Sequence, residues 1–561
     1  MIQNKRKNNG ITLVALVVTI IILLILAGIT VSSLTNTGIF EKAKEARDKT
    51  AAAAENQAKI LNEYEDELNK YVSGNVKTLQ ADGSWNDSKK VNSPQLMEGM
   101  TGIYWDKDGN EIEVTADNQD NWYDYDKQEW ANAITKDSDG NITGYWVWIP
   151  RYAYKIESGR YTSTAGKISV KFLQGTSNKD ENNAEISQNY PETTGETMSA
   201  YVVHPSFTDG SENGKNNHYM NGEWDKEIAG YWVAKYAAGF QANTITNNNG
   251  TLSTAISNAS DTVVYSNKNY NDYNSSMTTN ALSQTLSTKP KMSYPVFKPL
   301  TYAYNNISTG DVYTLSQEIK NGSNFYGLNS SKTDSHQMKN SEWGTVAYLT
   351  QSDKGRNVTE VNLNNYYTTE SNPWRTAITG MCTNGTSGDK TTTLGNAYNT
   401  AIGVKGSSTA NITGIYDLNG CVWERTTAYI SNGNSNLSTY GSSYANKTAN
   451  VNGYNTNGYS TKWATVYSYN SSDSNTNNYS IYSGKKSITY GFGDAVLETS
   501  TTGSGSTSWN GDYSNFPHTS SPFFARGGHY GNSSYAGVFT FNGDNGIPWC
   551  YHGFRSVLVA Q

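Results

Sequence analysis

The chain has 561 residues, with 43 Lys and Arg against 50 Asp and Glu for a formal net charge of −7. That length can bury a sizeable core in more than one domain, and the acidic balance offers a phosphate backbone no general attraction, which argues against nucleic acid as a partner. Only 17% of residues are charged while 41 Tyr, 14 Trp and 50 Gly stand among abundant Asn, Ser and Thr, so aromatics are expected to build the core and small polar residues its turns.

Lys5, Arg6 and Lys7 precede an apolar run over 11–34. A basic flank keeps the start cytoplasmic, and about 20 apolar residues span the hydrocarbon layer as a helix. The run therefore predicts a transmembrane helix, with everything downstream outside the cell. Residues 35–72 are rich in Ala, Glu and Lys, and Leu61, Tyr64, Leu68 and Tyr71 fall on one face at three- and four-residue spacing, which predicts a stem helix.

Beyond residue 72 the pattern changes to short aromatic runs between Gly, Asn, Asp and Ser clusters. Residues 73–143 are expected to form a small β-rich connecting region, with strand, DG turn and strand over Thr101–Thr115. The main domain is expected over 144–561. It opens with GYWVWIPRYAYKI, where Pro150 limits the strand to an edge or a bulge, and continues with GYWVAKYAAGF at Gly230–Phe240. The Asn- and Ser-rich stretches 243–280 and 446–483 predict long surface insertions.

The N-terminal run KNNG followed by ITLVALVVTIIILLILAG resembles a type IV prepilin leader. The resemblance implies cleavage after Gly10, a new N-terminus at Ile11, a retained membrane anchor over 11–34 and assembly with other pilins. Pilins carry Glu at the fifth mature position, whose carboxylate pairs with a neighbouring amine; this chain has Ala15, a departure that bears on filament assembly.

Six further fragments come in one order: VWIPRYAYKI from Val147, GYWVAKYAAG from Gly230, KNSEWGTVAYL from Lys339, GIYDLNGCVWERT from Gly414, ARGGHY from Ala525 and GFRSVLV from Gly553. Together they resemble the formylglycine-generating-enzyme-like, or sulfatase-modifying-factor, family, a variant of the C-type lectin fold. The fold expected for the whole chain is α+β: a long N-terminal transmembrane and stem helix, then an irregular, loop-rich C-type-lectin-like domain. Trp343 and Trp423 are expected in its core, Gly527, Gly528 and Gly553 at tight turns or close packing, and Asp417, Glu424 and Arg526 in a buried polar network.

Three cysteines, Cys382, Cys421 and Cys550, are widely spaced and define neither a disulfide framework nor a zinc site. Oxidase members of the family bind copper through two cysteines soon after RGGS. Here that stretch, Gly531–Phe539, has none, and Cys550 stands alone beyond it, a poor copper(I) site. Six histidines are scattered without metal-ligand spacing. No catalytic set and no resident cofactor are expected; calcium is the ion the resemblance leaves open, at a turn where Glu424 is kept and Cys421 replaces the usual Asn. An extracellular enzyme of the formylglycine-generating type is the alternative.

Between ARGGHY and GFRSV lies a segment that mixes Asn, Ser, Asp, Tyr, Trp and His without a hydrophobic period, a composition that adaptable binding surfaces use. The expected ligand-binding residues, within about 529–552, are His529, Tyr530, Asn532, Ser534, Tyr535, Thr540, Asn542, Asp544, Asn545, Ile547, Trp549, Tyr551 and His552. The segment also resembles the variable region of retroelement-diversified proteins, in which randomised adenines of Asn-type codons would reach Ile547, Pro548, Cys550, Tyr551 and His552; an ordinary aromatic surface loop is the plainer alternative. The expected function is a pilin-like cell-surface adhesin or receptor-binding protein whose partner is an extracellular protein or glycan.

Overall fold

The computed structural model describes residues 91–191, 195–209, 224–240, 294–368, 375–445, 462–483 and 492–561, the short strands Thr78–Leu79 and Trp85–Asn86, and the isolated positions Thr19 and Lys49. The chain divides into two units, Met1–Val76 and Lys77–Gln561.

In the first unit Thr19 and Lys49 are helical and exposed. The rest of the leader at Gly10 and Ile11, the transmembrane run 11–34 and the stem 35–72 lies outside the described residues. Among the described residues no helix is long and apolar enough to cross a membrane, and the longest, Asn340–Gln351, has 12 residues. The expected α+β class with a long leading helix is corrected accordingly: the architecture is mostly β with a few short helices. The expected prepilin-type leader and transmembrane anchor are corrected with it. The physical reason in the second unit is composition, since Asn, Gly, Ser and Thr are weak helix formers while the aromatic and β-branched runs suit a pleated surface.

Two seven-stranded sheets organise the second unit. The first runs in the order Thr333–Gln337, Ser556–Ala560, Gly230–Ala234, Ile142–Pro150, Asn132–Lys136, Met100–Trp105 and Glu111–Glu113, antiparallel throughout. Its outer strands come from the region expected as a connector, so residues 100–136 are structural parts of the main unit. Trp232 lies between Trp148 and Leu558 in register, and Trp122, Trp130, Trp146, Trp148 and Trp232 are all buried in one core. Pro150 closes its strand opposite Gly230; after Arg151 the chain enters a separate sheet as Tyr152–Ile156. A proline without an N–H serves at such a corner.

The helix Asn340–Gln351 is buried along its whole length. Trp343 donates its indole N–H to the Val538 carbonyl at 2.8 Å, tying the helix to the second sheet. That sheet is built on Trp423–Ile430, flanked by parallel Thr465–Tyr467 and antiparallel Phe523–Gly527, and continued by Gly537–Asp544, Ser514–Asn515 and Ser504–Gly505. His552–Phe554 pairs in parallel with its start, Trp423 opposite His552. All eight residues of Trp423–Ile430 are buried, the pattern of a strand covered on both faces.

The stretch 243–280 lies outside the described residues. Part of 446–483 is core: Tyr467, Tyr479 and Tyr482 pack with Phe516, Phe524 and Phe541.

Candidate functional site

The register sets the site. Arg425 is opposite Ala525, and Ala525 opposite Asn542. The two-residue side-chain period therefore puts Trp423, Arg425, Asn542 and Asp544 on one face of the second sheet, and Glu424, Arg526 and Phe541 on the other. The inward set is structural. Arg555 donates to both Glu424 oxygens, at 2.9 and 2.6 Å, and Arg526 donates to Asn340 Oδ1 and to the Asp494 and Ala495 carbonyls. Asp417 accepts from Asn364 Nδ2 and from the Gly380 and Ala237 backbone N–H groups. The three expected network residues are thus separate buried nodes.

The outward face carries a cavity of about 540 Å³, within the range of roughly 300–1,000 Å³ typical of small-ligand sites. Its walls are aromatic. His529 stacks on Tyr551 with centroids 4.6 Å apart and planes at 19°, and Trp549 meets Tyr551 edge-on at 5.7 Å. Tyr513 and Tyr535 form an edge-to-face pair at 6.0 Å across the cavity. Tyr535 and Trp549 are 52% and 42% exposed, unusual for side chains of this size.

Beneath the cavity lies a fixed charge pair. Arg425 Nε donates to Asp544 Oδ2 at 2.7 Å, with both side chains buried. Burial raises the Asp544 carboxyl, but the Arg425 guanidinium, His552 and the Gly546 N–H together outweigh it and hold the group below its ordinary value. Arg425 also donates to the Ile307 and Ile547 carbonyls and to His552 Nδ1.

The segment between Asp544 and His552 is pinned by its backbone. The Gly546, Trp549 and Tyr551 carbonyls accept from the N–H groups of Thr309, Asn306 and Trp423 at 3.2, 2.9 and 2.8 Å. The Cys550 carbonyl accepts from Asn305 Nδ2 and that of Ile547 from Arg425. These donors lie outside the segment, so its path depends little on the side chains it carries. Gly527 and Gly528, at φ of 79° and 77°, make the reversal into His529, a conformation that costs other residues energy.

Of the expected binding residues, ten line this cavity: His529, Asn532, Tyr535, Asn542 and Asp544, then Asn545, Ile547, Trp549, Tyr551 and His552. Three do not. Tyr530 is buried against Tyr367 at 5.5 Å, Thr540 is buried and donates to the Tyr535 carbonyl at 2.8 Å, and Ser534 is exposed outside the lining. Trp423, Tyr513, Ser521 and Gly543 complete the walls. Trp423 had been assigned to the core, and it is 96% covered while still edging the cavity, as its 4% exposure shows. Tyr513 and Ser521 sit upstream of the segment; the pairing of Ser514–Asn515 with Gly537–Asp544 brings Tyr513 near, and that of Phe523–Gly527 with the same strand brings Ser521.

Calcium does not fit the turn where the resemblance placed it. Both Glu424 oxygens are engaged by Arg555, the Asp417 oxygens accept three N–H donors, and Cys421 supplies sulfur where a hard cation needs oxygen. Among the described residues no three His, Cys, Asp or Glu side chains gather as a metal site. The cysteines are buried and unbridged. Burial pushes the Cys382 thiol up to about 12 and raises those of Cys421 and Cys550.

The sequence matches no protein-family model, and no curated protein matches it.

Proposed function

We propose that this chain is a ligand-binding protein of the adhesin or receptor-binding type, displayed outside the cell, whose contact surface is the aromatic cavity on the second sheet. One observation carries the reading: the single segment Asp544–His552 supplies six of the fourteen lining residues while its backbone is held by donors from elsewhere in the fold. An architecture that fixes the path and leaves the side chains to the cavity suits exchangeable recognition, and supports diversification of Ile547 and Tyr551. A non-enzymatic role is the companion proposal. It is supported by thiols that burial keeps protonated, since the thiolate is the reactive form.

The test is binding of the full chain to cells and to glycan and protein arrays, for the parent and for Trp549→Ala with Tyr551→Ala. Loss of binding with an unchanged melting temperature supports the reading. Binding that survives both substitutions removes the cavity from it.

A further inference from the structure

Three asparagines present donors to the cavity. Asn532, Asn542 and Asn545 each spend the side-chain oxygen on the protein: Oδ1 accepts from His529 N–H at 2.7 Å, from Asn515 Nδ2 at 2.7 Å and from Ile547 N–H at 3.1 Å respectively. Each therefore keeps its NH2 group for a ligand.

His529 adds to the same side, whereas His552 turns no accessible donor to the cavity. His552 Nδ1 accepts from Arg425 Nη2 at 3.2 Å, so in the neutral ring the proton sits on Nε2, a buried atom without a hydrogen-bond partner. His529 Nδ1 accepts from Gly531 N–H at 3.2 Å and leaves its own Nε2 protonated. Burial lowers His529 to about 3 and His552 to about 4, which keeps both rings neutral near pH 7.

Charge narrows the ligand further. No Lys or Arg lines the cavity, and Arg425 beneath it is committed to Asp544 and two carbonyls, so an anion has no counter-charge. Asp544, the lining carboxylate, is already paired, so a cation has none either. A wholly apolar ligand would strand the donors at about 1–3 kcal/mol each. What remains is a neutral molecule that is rich in acceptors and has C–H faces for the aromatic walls, whose π-faces are negative.

A sugar ring supplies the C–H faces. Its hydroxyl protons can go to the Tyr513, Ser521 and Tyr535 hydroxyl oxygens and to the second lone pair of the asparagine oxygens. An acetamido group adds a carbonyl acceptor for the asparagine NH2 donors and a methyl that packs on aromatic surface, and its own N–H can donate to the same hydroxyl oxygens. Resting on the ligand-binding role proposed above, we infer that the cavity takes an N-acetylated amino sugar of a neutral glycan, with Trp549 and Tyr551 as its stacking wall and the asparagine NH2 groups as donors to the acetamido carbonyl.

The experiment is calorimetric titration of the full chain with N,N′-diacetylchitobiose and cellobiose, which share a linkage and differ in the acetamido group. The acetylated sugar is expected to bind at least tenfold more tightly. Asn545→Asp and, separately, Asn532→Asp keep the oxygen that the backbone uses and replace the NH2 donor by an acceptor; each is expected to weaken the acetylated sugar at least tenfold with the melting temperature unchanged. Equal binding of both sugars, binding of neither, or indifference to both Asp variants overturns the inference. Array binding that is sensitive to Trp549→Ala yet goes to proteins or unacetylated glycans would leave the proposed function standing and remove only the sugar assignment. Loss of all Trp549-dependent binding would remove both.

Discussion

Arg425 and Asp544 form a buried ion pair, Nε to Oδ2 2.7 Å, at the floor of the cavity that Asp544 itself lines. Removing one partner leaves an uncompensated buried charge, which typically costs about 3–5 kcal/mol. Asp544→Ala is expected to lose that much stability in urea unfolding monitored by Trp fluorescence. The double replacement Arg425→Met with Asp544→Leu should lose less, because it removes both charges; the carbonyls that Arg425 holds set its residual cost.

Side-chain exchange on the pinned segment should be inexpensive. Trp549→Ala and Tyr551→Ala are each expected to change unfolding free energy by less than about 1 kcal/mol, as for substitutions away from the core, because neither supplies the contacts that hold its own carbonyl. The same variants should lower ligand affinity at least tenfold. A loss of several kcal/mol in either would show that the side chains hold the path.

His552 gives a pH signature with a definite sign. Burial lowers it from 6.5 to about 4, so between those values the unfolded chain binds the proton and the folded chain does not. Its contribution is complete above about 6.5 and is lost as pH falls toward 4, on the order of 3 kcal/mol in total. His552→Gln keeps an acceptor for Arg425 and removes the titration. The stability difference between parent and variant, from unfolding at pH 4.5, 5.5 and 7, should grow in the parent's favour as pH rises; a constant difference would place the proton elsewhere.

The thiols should be silent. At pH 7.5 an alkylating reagent is expected to leave Cys382, Cys421 and Cys550 unmodified in the folded protein and to label all three in denaturant, read by intact mass. Prompt labelling of Cys550 in the folded state would reopen thiol chemistry beside Tyr530.

Glu424 should act as an anchor for Arg555 alone. Glu424→Ala strands a buried guanidinium and is expected to cost about 3–5 kcal/mol, whereas chelation by EDTA should leave the parent's melting temperature unchanged. A fall on chelation would indicate an ion elsewhere.

Much of the frame is visible in residue order because local pattern and tertiary role agree. Aromatic and β-branched runs at 144–150 and 230–234 become adjacent strands, and the apolar and glutamate pattern after Lys339 becomes a buried helix closed by a capping box through Glu342. The class assignment misread the weight of one apolar run against hundreds of residues of strand and turn. The connecting region was also misjudged, since Asn132–Lys136 looks polar at its ends yet is buried beside Ile142–Pro150. In the site, the lining of 529–552 shows in composition, but the contributions of Tyr513 and Ser521 depend on the pairings of Ser514–Asn515 and Phe523–Gly527 with Gly537–Asp544, which no local pattern encodes. The donor bias is equally hidden: an asparagine's letter does not say which end of its amide the fold has taken.

The strand Ser556–Ala560 lies between Gly230–Ala234 and Thr333–Gln337. The slot next to the edge of the first sheet therefore stays empty until nearly all of the polypeptide has left the ribosome, and Gly230–Ala234 must wait across more than half the chain for this neighbour. Such distant pairing is slow. It also acts as a checkpoint on synthesis: a product cut short before residue 556 lacks the strand that joins the two earlier ones, so truncated copies should fail to mature instead of presenting a half-formed receptor.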